Sequence, residues 1–103
     1  MLAYRAVDGW TALADPTRRS IFELVAARPR AVGEIAVQLP VTRPAVSQHL
    51  KLLKSARLVI DHAEGTRRIY RVNPEGLAEL RAQLDRFWCQ TLTNFKSLVE
   101  EEE

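Results

Sequence analysis

Cysteine is nearly absent from this chain. The single Cys89 excludes an intrachain disulfide and suits a reducing compartment, so a cytoplasmic protein is expected. Glycine is sparse too. The four glycines are scattered and none of them builds a phosphate-cradling loop. There are two histidines, and neither a ligand cluster nor a nucleophile with its base stands out, so neither an enzyme nor a metal or cofactor is expected. No apolar run nears the ~20 residues of a membrane span, and the N-terminus has no secretory pattern. No membrane partner is expected.

With 103 residues, 47% of them hydrophobic, one domain is expected over residues 1–99. The Glu100–Glu103 run reads as a disordered acidic tail. A chain this small buries a modest fraction of its surface, and association with a second copy would add to it. The net charge of +2 conceals a split. Residues 1–72 hold twelve Lys and Arg against six Asp and Glu, whereas residues 73–103 hold three against seven. One end suits a polyanion and the other does not.

Helical spacing organises the first half. Tyr4, Val7, Trp10 and Leu13 mark a helix over Ala3–Ala14. Asp15-Pro16 reads as the cap and first residue of a second helix, Pro16–Ala27, with Ile21, Leu24 and Val25 inward. A short third helix over Val32–Leu39 begins poorly capped, because Ala31 offers no side-chain acceptor. Pro40-Val41-Thr42 makes a turn, and Thr42 or Arg43 begins the next helix, with Pro44 harmless in its first turn.

That next stretch, VTRPAVSQHLKLLK, is the most informative. Val46, Leu50 and Leu53 form one apolar stripe, while Arg43, Ser47, Lys51 and Lys54 fall on another face beside Gln48. A helix anchored on one side and small, polar and cationic on the other suits the DNA major groove. Cations meet phosphates, and Ser, Gln and Arg reach base edges. Helix, short turn and basic-faced helix make a helix-turn-helix. The residues from Leu58 to Ala63 and from Ile69 to Val72 then read as strands joined through Glu64–Arg68. This hairpin is a wing, placing Thr66, Arg67 and Arg68 at the DNA backbone or minor groove.

The last helix, Asn73 to about Val99, carries Leu77, Leu80, Leu84, Phe87, Trp88, Leu92, Phe95 and Leu98 at steps of three and four. That stripe is too long for one small core. It reads as a dimer interface shared with the first helix, formed by Tyr4, Val7, Trp10, Leu80, Leu84, Phe87, Trp88, Leu92 and Phe95.

The runs ALADPTRRSIFELV, AVGEIAVQLPVTRPAVSQHLKLLKSARLV and EGTRRIYRV together resemble the ArsR/SmtB family of winged-helix repressors, from about Ala12 to Leu98. The resemblance implies a mainly α fold, α-α-α-α-β-β-α, dimerising through its first and last helices and repressing from a palindromic double-stranded operator. It implies base contacts at Thr42, Arg43, Pro44, Ser47 and Gln48, and phosphate contacts at Lys51 and Lys54. Arg57 departs from the pattern, since many members have glycine there.

The family's metal sites find no counterpart. One uses two cysteines in the helix before the turn, where this chain has Glu34-Ile35-Ala36-Val37-Gln38. The other uses histidines in the last helix, which here has none, and Asp85 with Glu79 would make a poor zinc site. The inducer is left open.

Five further residues need weighing. His49 reads as a packed, hydrogen-bonded side chain rather than a ligand, and His62 as surface. Cys89 reads as a buried structural thiol, the alternative being a redox contact across a dimer. Arg18 and Arg19 either approach DNA phosphate or cap and solvate their helix. A rival for the whole chain is a protein-interaction winged helix, against which the basic face counts.

Overall fold

A computed structural model of the chain describes residues 8–101. Tyr4 and Val7 lie outside the described residues. The elements within them are α1 (Gly9–Ala14), α2 (Pro16–Ala27), β1 (Arg30–Ala31), α3 (Val32–Ala36), α4 (Arg43–Ser55), β2 (Val59–Glu64), β3 (Arg67–Val72) and α5 (Pro74–Glu101). The expected order holds, with one strand added.

Local chemistry sets the boundaries. Asp8 is extended and its carboxylate accepts the Thr11 N–H at 2.8 Å, so α1 starts at Gly9 instead of running unbroken from Ala3. Asp15 does the same for α2, accepting from Arg18 N–H at 2.9 Å with Pro16 leading the helix. The third helix is shorter than expected and stops at Ala36. Leu39 precedes Pro40, which disfavours helical backbone there. Its start is also better held than Ala31 suggests, because the Glu34 carboxylate reaches back to accept the Ala31 N–H at 2.8 Å.

Strand β1 was not legible, since two residues cannot show a period. It pairs antiparallel with β3 through Arg30↔Tyr70 and Ala31↔Ile69. The sheet order is β1-β3-β2. Strands β2 and β3 run in register from Val59↔Val72 to Glu64↔Arg67. Gly65 and Thr66 alone make the turn, and Gly65 at φ 65° supplies the positive φ that a two-residue hairpin needs at its first position.

The core joins Ala12 of α1, Ile21, Phe22 and Val25 of α2, Ile35 of α3, Val46, Leu50 and Leu53 of α4, Leu58, Val59 and Leu80. Each large side chain buried there contributes about 1.5–3 kcal/mol. This core fixes α4 by its inner face alone.

The end of α4 decides where α5 goes. Leu58 N–H donates to Leu53 O at 3.0 Å and Arg57 N–H to Lys54 O at 2.9 Å, which is a Schellman termination. Arg57 therefore takes φ 66° at the position that usually holds glycine. The left-handed backbone costs about 1–2 kcal/mol in a residue with a Cβ. Asn73 Nδ2 donates to the Arg57 carbonyl at 3.0 Å, and Arg57 Nη1 meets Glu79 Oε1 of α5 at 2.6 Å. The buried Gly76 lets α5 lie directly on this turn.

Helix α5 has 28 residues, about 42 Å at 1.5 Å per residue. Leu80 is its last buried residue, and from Arg81 to Glu101 only Thr91 is not exposed. The helix also continues through Glu100 and Glu101, two residues into the expected tail. Glu is a good helix former, and extending an existing helix is far easier than starting one.

Candidate nucleic-acid interface

Burial of Val46, Leu50 and Leu53 leaves the opposite side of α4 to solvent. Thr42, Arg43, Pro44, Ser47, Gln48, Lys51 and Lys54 are all exposed. Residues 43, 47 and 51 form one ridge at four-residue steps, with 44 and 48 beside it. Thr42 is the N-cap, its Oγ1 accepting the Ala45 N–H at 3.2 Å, so its hydroxyl proton is what it can still offer. The Arg43 guanidinium lies over Gly33 of α3. Among the described residues, Arg43 and Lys51 make neither a hydrogen bond nor an ion pair.

The other expected cations are not free. Lys54 Nζ meets Asp61 Oδ1 at 2.9 Å, and Arg68 Nη1 meets Asp61 Oδ2 at 3.2 Å. Arg67 Nη2 meets Glu34 Oε1 at 3.3 Å. Arg67 and Arg68 also stand on β3 rather than in the connecting turn, because Glu64 already pairs with Arg67 across the ladder. The three cations remain about half exposed, so each keeps donors for a phosphate. Asp61 and Glu34 escaped the sequence reading. Glu34 had a signal, as a Glu three residues into a helix start. Asp61 had none.

Asp61 joins the recognition helix to the wing, with its side chain only 7% exposed. The Lys54 ammonium, with Arg68 adding to it, holds the carboxyl below the usual aspartate range against the opposing effect of burial. A depressed folded-state pKa contributes stability above the unfolded value, about 3.9, and that stability is lost as pH falls through the lower folded value. Asp61→Asn should therefore be less stable than the parent at pH 7, with the gap closing on acidification. Urea midpoints taken at steps from pH 7 to pH 2 test this, and a pH-independent gap would refute it.

His49 is half-buried with Arg18 Nη1 at 3.3 Å from its Nδ1. An arginine only donates, so Nδ1 can take part in this contact only as the acceptor. This is the packed histidine expected. Arg18 Nε donates to Ala12 O at 2.7 Å and Arg19 Nη1 to Leu13 O at 3.2 Å, so both arginines satisfy carbonyls at the end of α1. His62 is on the surface, as expected.

Trp10, Leu84, Phe87, Trp88, Leu92 and Phe95 are 37–63% exposed and line one side of α5 and α1. Trp10 Nε1 donates to Gln83 Oε1 at 3.0 Å, tying the two helices. Leu80 departs from this group. It is 8% exposed and belongs to the chain's own core, closing against Gly9. Cys89 departs from expectation too: it is exposed, next to Asp85, Gln90 and Thr93. At 100° per residue it sits roughly 130° from the centre of the apolar stripe, so a seam along that stripe keeps two copies of Cys89 apart. No helix among the described residues is long and apolar enough to cross a membrane.

A helix-turn-helix whose second helix shows a polar, cationic outer face, followed by a two-stranded wing, defines a winged-helix DNA-binding protein. A family model described as a helix-turn-helix domain matches residues 13–62. The chain is 58% identical over 103 residues to the HTH-type transcriptional regulator Rv2034 of Mycobacterium tuberculosis, covering 99% of this chain and 96% of that protein. It is similar to the crystal structure of a possible transcriptional regulator for arsenical resistance, with TM-score 0.73, 41% identity and coverage of 80% and 85%. It is also similar to a homodimeric winged helix-turn-helix DNA-binding domain from Mycobacterium bovis, a possible ArsR-family regulator, with TM-score 0.63, 36% identity and coverage of 79% and 75%. The chain belongs to the ArsR/SmtB family of winged helix-turn-helix transcriptional regulators. It is a DNA-binding regulator of transcription.

Proposed function

We propose that the chain is a homodimeric cytoplasmic repressor of a palindromic operator, with autoregulation as one of its uses. The outward face of α4 carries the DNA part of this reading, since its inner face is buried and the Arg43 and Lys51 side chains have no partner among the described residues. The apolar stripe on α5 supports the dimer. Its four aromatics with Trp10 counted, Trp10, Phe87, Trp88 and Phe95, expose on the order of 400 Å² together before the leucines of the stripe are added, a size at which apolar patches often mark interaction sites. The homodimeric M. bovis domain supports it as well. Two recognition helices would then read half-sites about one helical turn, 34–36 Å, apart.

In this reading Thr42, Arg43, Pro44, Ser47 and Gln48 meet bases. Lys51, Lys54, Thr66, Arg67 and Arg68 meet the backbone. Thiophilic-metal sensing has no ligands where the family places them, as Ala36 and Gln38 lack thiolates and α5 has no histidine. A dimer bound across a promoter represses by excluding polymerase.

The test is titration of DNA from upstream of the chain's own gene against random duplex, at two salt concentrations. Selective binding with a two-fold-symmetric footprint supports the reading. Equal binding to every sequence refutes it. Within that assay Gln48→Ala should lose about 1–3 kcal/mol of discrimination at one base position per half-site. Lys51→Ala should instead weaken all duplexes alike and flatten the salt slope by about one unit for each phosphate contact removed.

A further inference from the structure

We propose that Glu34 restrains DNA binding by the wing on every sequence, its carboxylate partly neutralising Arg67 in the free protein. This rests on the DNA-binding reading above. Glu34 Oε1 lies 3.3 Å from Arg67 Nη2 and also accepts the Ala31 N–H at 2.8 Å. The backbone bond pins the carboxylate to the first turn of α3, so it cannot follow Arg67 onto a phosphate. Arg67 is the first residue of β3 after a two-residue turn, and its side chain is 53% exposed.

The pair stands on the rim of a cleft of about 540 Å³ between α3, the start of α4 and the wing, with Arg43, Val37 and Thr66 on its other walls. Arg43, which lacks a partner among the described residues, and Arg67, which has one, thus face the same groove. A duplex that reaches this groove meets an Arg67 already partly neutralised by Glu34 and brings its own phosphates near a carboxylate. Both effects oppose binding, and both act on every sequence. Glu34 therefore lowers affinity for random duplex and operator alike, and random duplex reads the effect without base contacts along α4.

A purely bracing role predicts the opposite. If the pair only held the wing in place, cutting it would loosen the wing and weaken DNA binding. Glu34→Gln separates the two, because glutamine keeps an oxygen for the Ala31 N–H and loses the charge. The experiment measures anisotropy of a labelled random duplex and of the selected operator with the full chain between 50 and 200 mM salt. Glu34→Gln should bind the random duplex about two- to tenfold tighter, with a steeper salt slope. The gain should vanish when Arg67→Ala is added, since the carboxylate acts through that arginine.

Unchanged or weaker binding by a Glu34→Gln protein that melts like the parent would overturn the proposal. So would a gain that survives in the Arg67→Ala background. If Glu34→Gln melts early, Arg67→Ala alone decides. Its loss on DNA should be smaller than that of Lys51→Ala, because Arg67 is already partly neutralised by Glu34 and Lys51 has no such partner among the described residues, and an equal loss overturns the proposal. A parent protein that binds no duplex at any salt removes the DNA reading itself, and this inference with it.

Discussion

Leu92→Glu is expected to leave each chain folded and to abolish its self-association. Leu92 is 59% exposed in the single chain and lies beyond Leu80, the last residue of α5 in the core. Glutamate and leucine have similar helix propensities, so α5 itself survives the change. The loss is felt only where two chains meet. Burying a leucine contributes about 1.5–3 kcal/mol, and a two-fold seam contains the residue twice. Two glutamates in its place also put unpaired carboxylates into an apolar contact, which adds several kcal/mol more. Dimer dissociation constants should rise by at least about a thousandfold, since each 1.4 kcal/mol is a factor of ten. Operator affinity should fall with it by about 10²–10⁴, because two linked half-site contacts become one. Sedimentation equilibrium, a thermal melt and the operator titration together check this. A variant that stays dimeric with unchanged operator affinity would place the seam elsewhere.

Gly76→Ala should produce the largest loss of stability from the smallest change. A Cβ there would run into the Arg57 carbonyl oxygen, with the carbonyl carbon 2.7 Å and the Arg57 Cβ 3.2 Å away. The nearest atoms are backbone, held by the Schellman bonds to Leu53 and Lys54 and by Asn73 Nδ2. They cannot swing aside as a side-chain tip would. Alanine gains about 0.5–1 kcal/mol over glycine in helix propensity. Displacing α5 from the turn costs more, so a net loss of about 2–3 kcal/mol is expected. Urea unfolding measures it, and a midpoint at or above the parent's would show that α5 tolerates the shift. The expected loss extends to the seam, since the apolar stripe rides on the same helix.

The two outcomes separate what α5 owes to its own domain from what it offers to a second chain. They also show why the sequence was an uneven guide. The inner stripe of α4 was legible because Val46, Leu50 and Leu53 repeat at helical steps, and whatever is opposite a buried stripe must face water. The cap at Asp15 was legible because capping is a bond between neighbours in the chain, whereas the choice between Thr42 and Arg43 as the start of α4 was settled by the Thr42 cap itself. Leu80 was not separable from Leu84, since both satisfy the same periodicity and only the position of Gly9 decides which one is covered. Cys89 was misplaced for a related reason. Its neighbour Trp88 is on the stripe, but one residue along a helix turns the side chain by 100°.

The cations tell the same story at the site. Arg67 and Arg68 were legible as a basic pair beside a glycine turn. That each already holds a carboxylate was not, because Glu34 lies 33 positions from Arg67 and on another element. Their role as partly neutralised groups follows from that distance in sequence and proximity in space.

Taken alone, the order of residues determined the helices, the turn, the wing and the polar face of α4, since all of these rest on periodicity and on bonds between near neighbours. Tertiary structure decided the rest: the strand β1, the lie of α5 on Arg57, the side on which Cys89 falls, and which cations remain unpaired. Each of these depends on groups far apart in the chain meeting at hydrogen-bonding or van der Waals distance, and no local pattern encodes such a meeting.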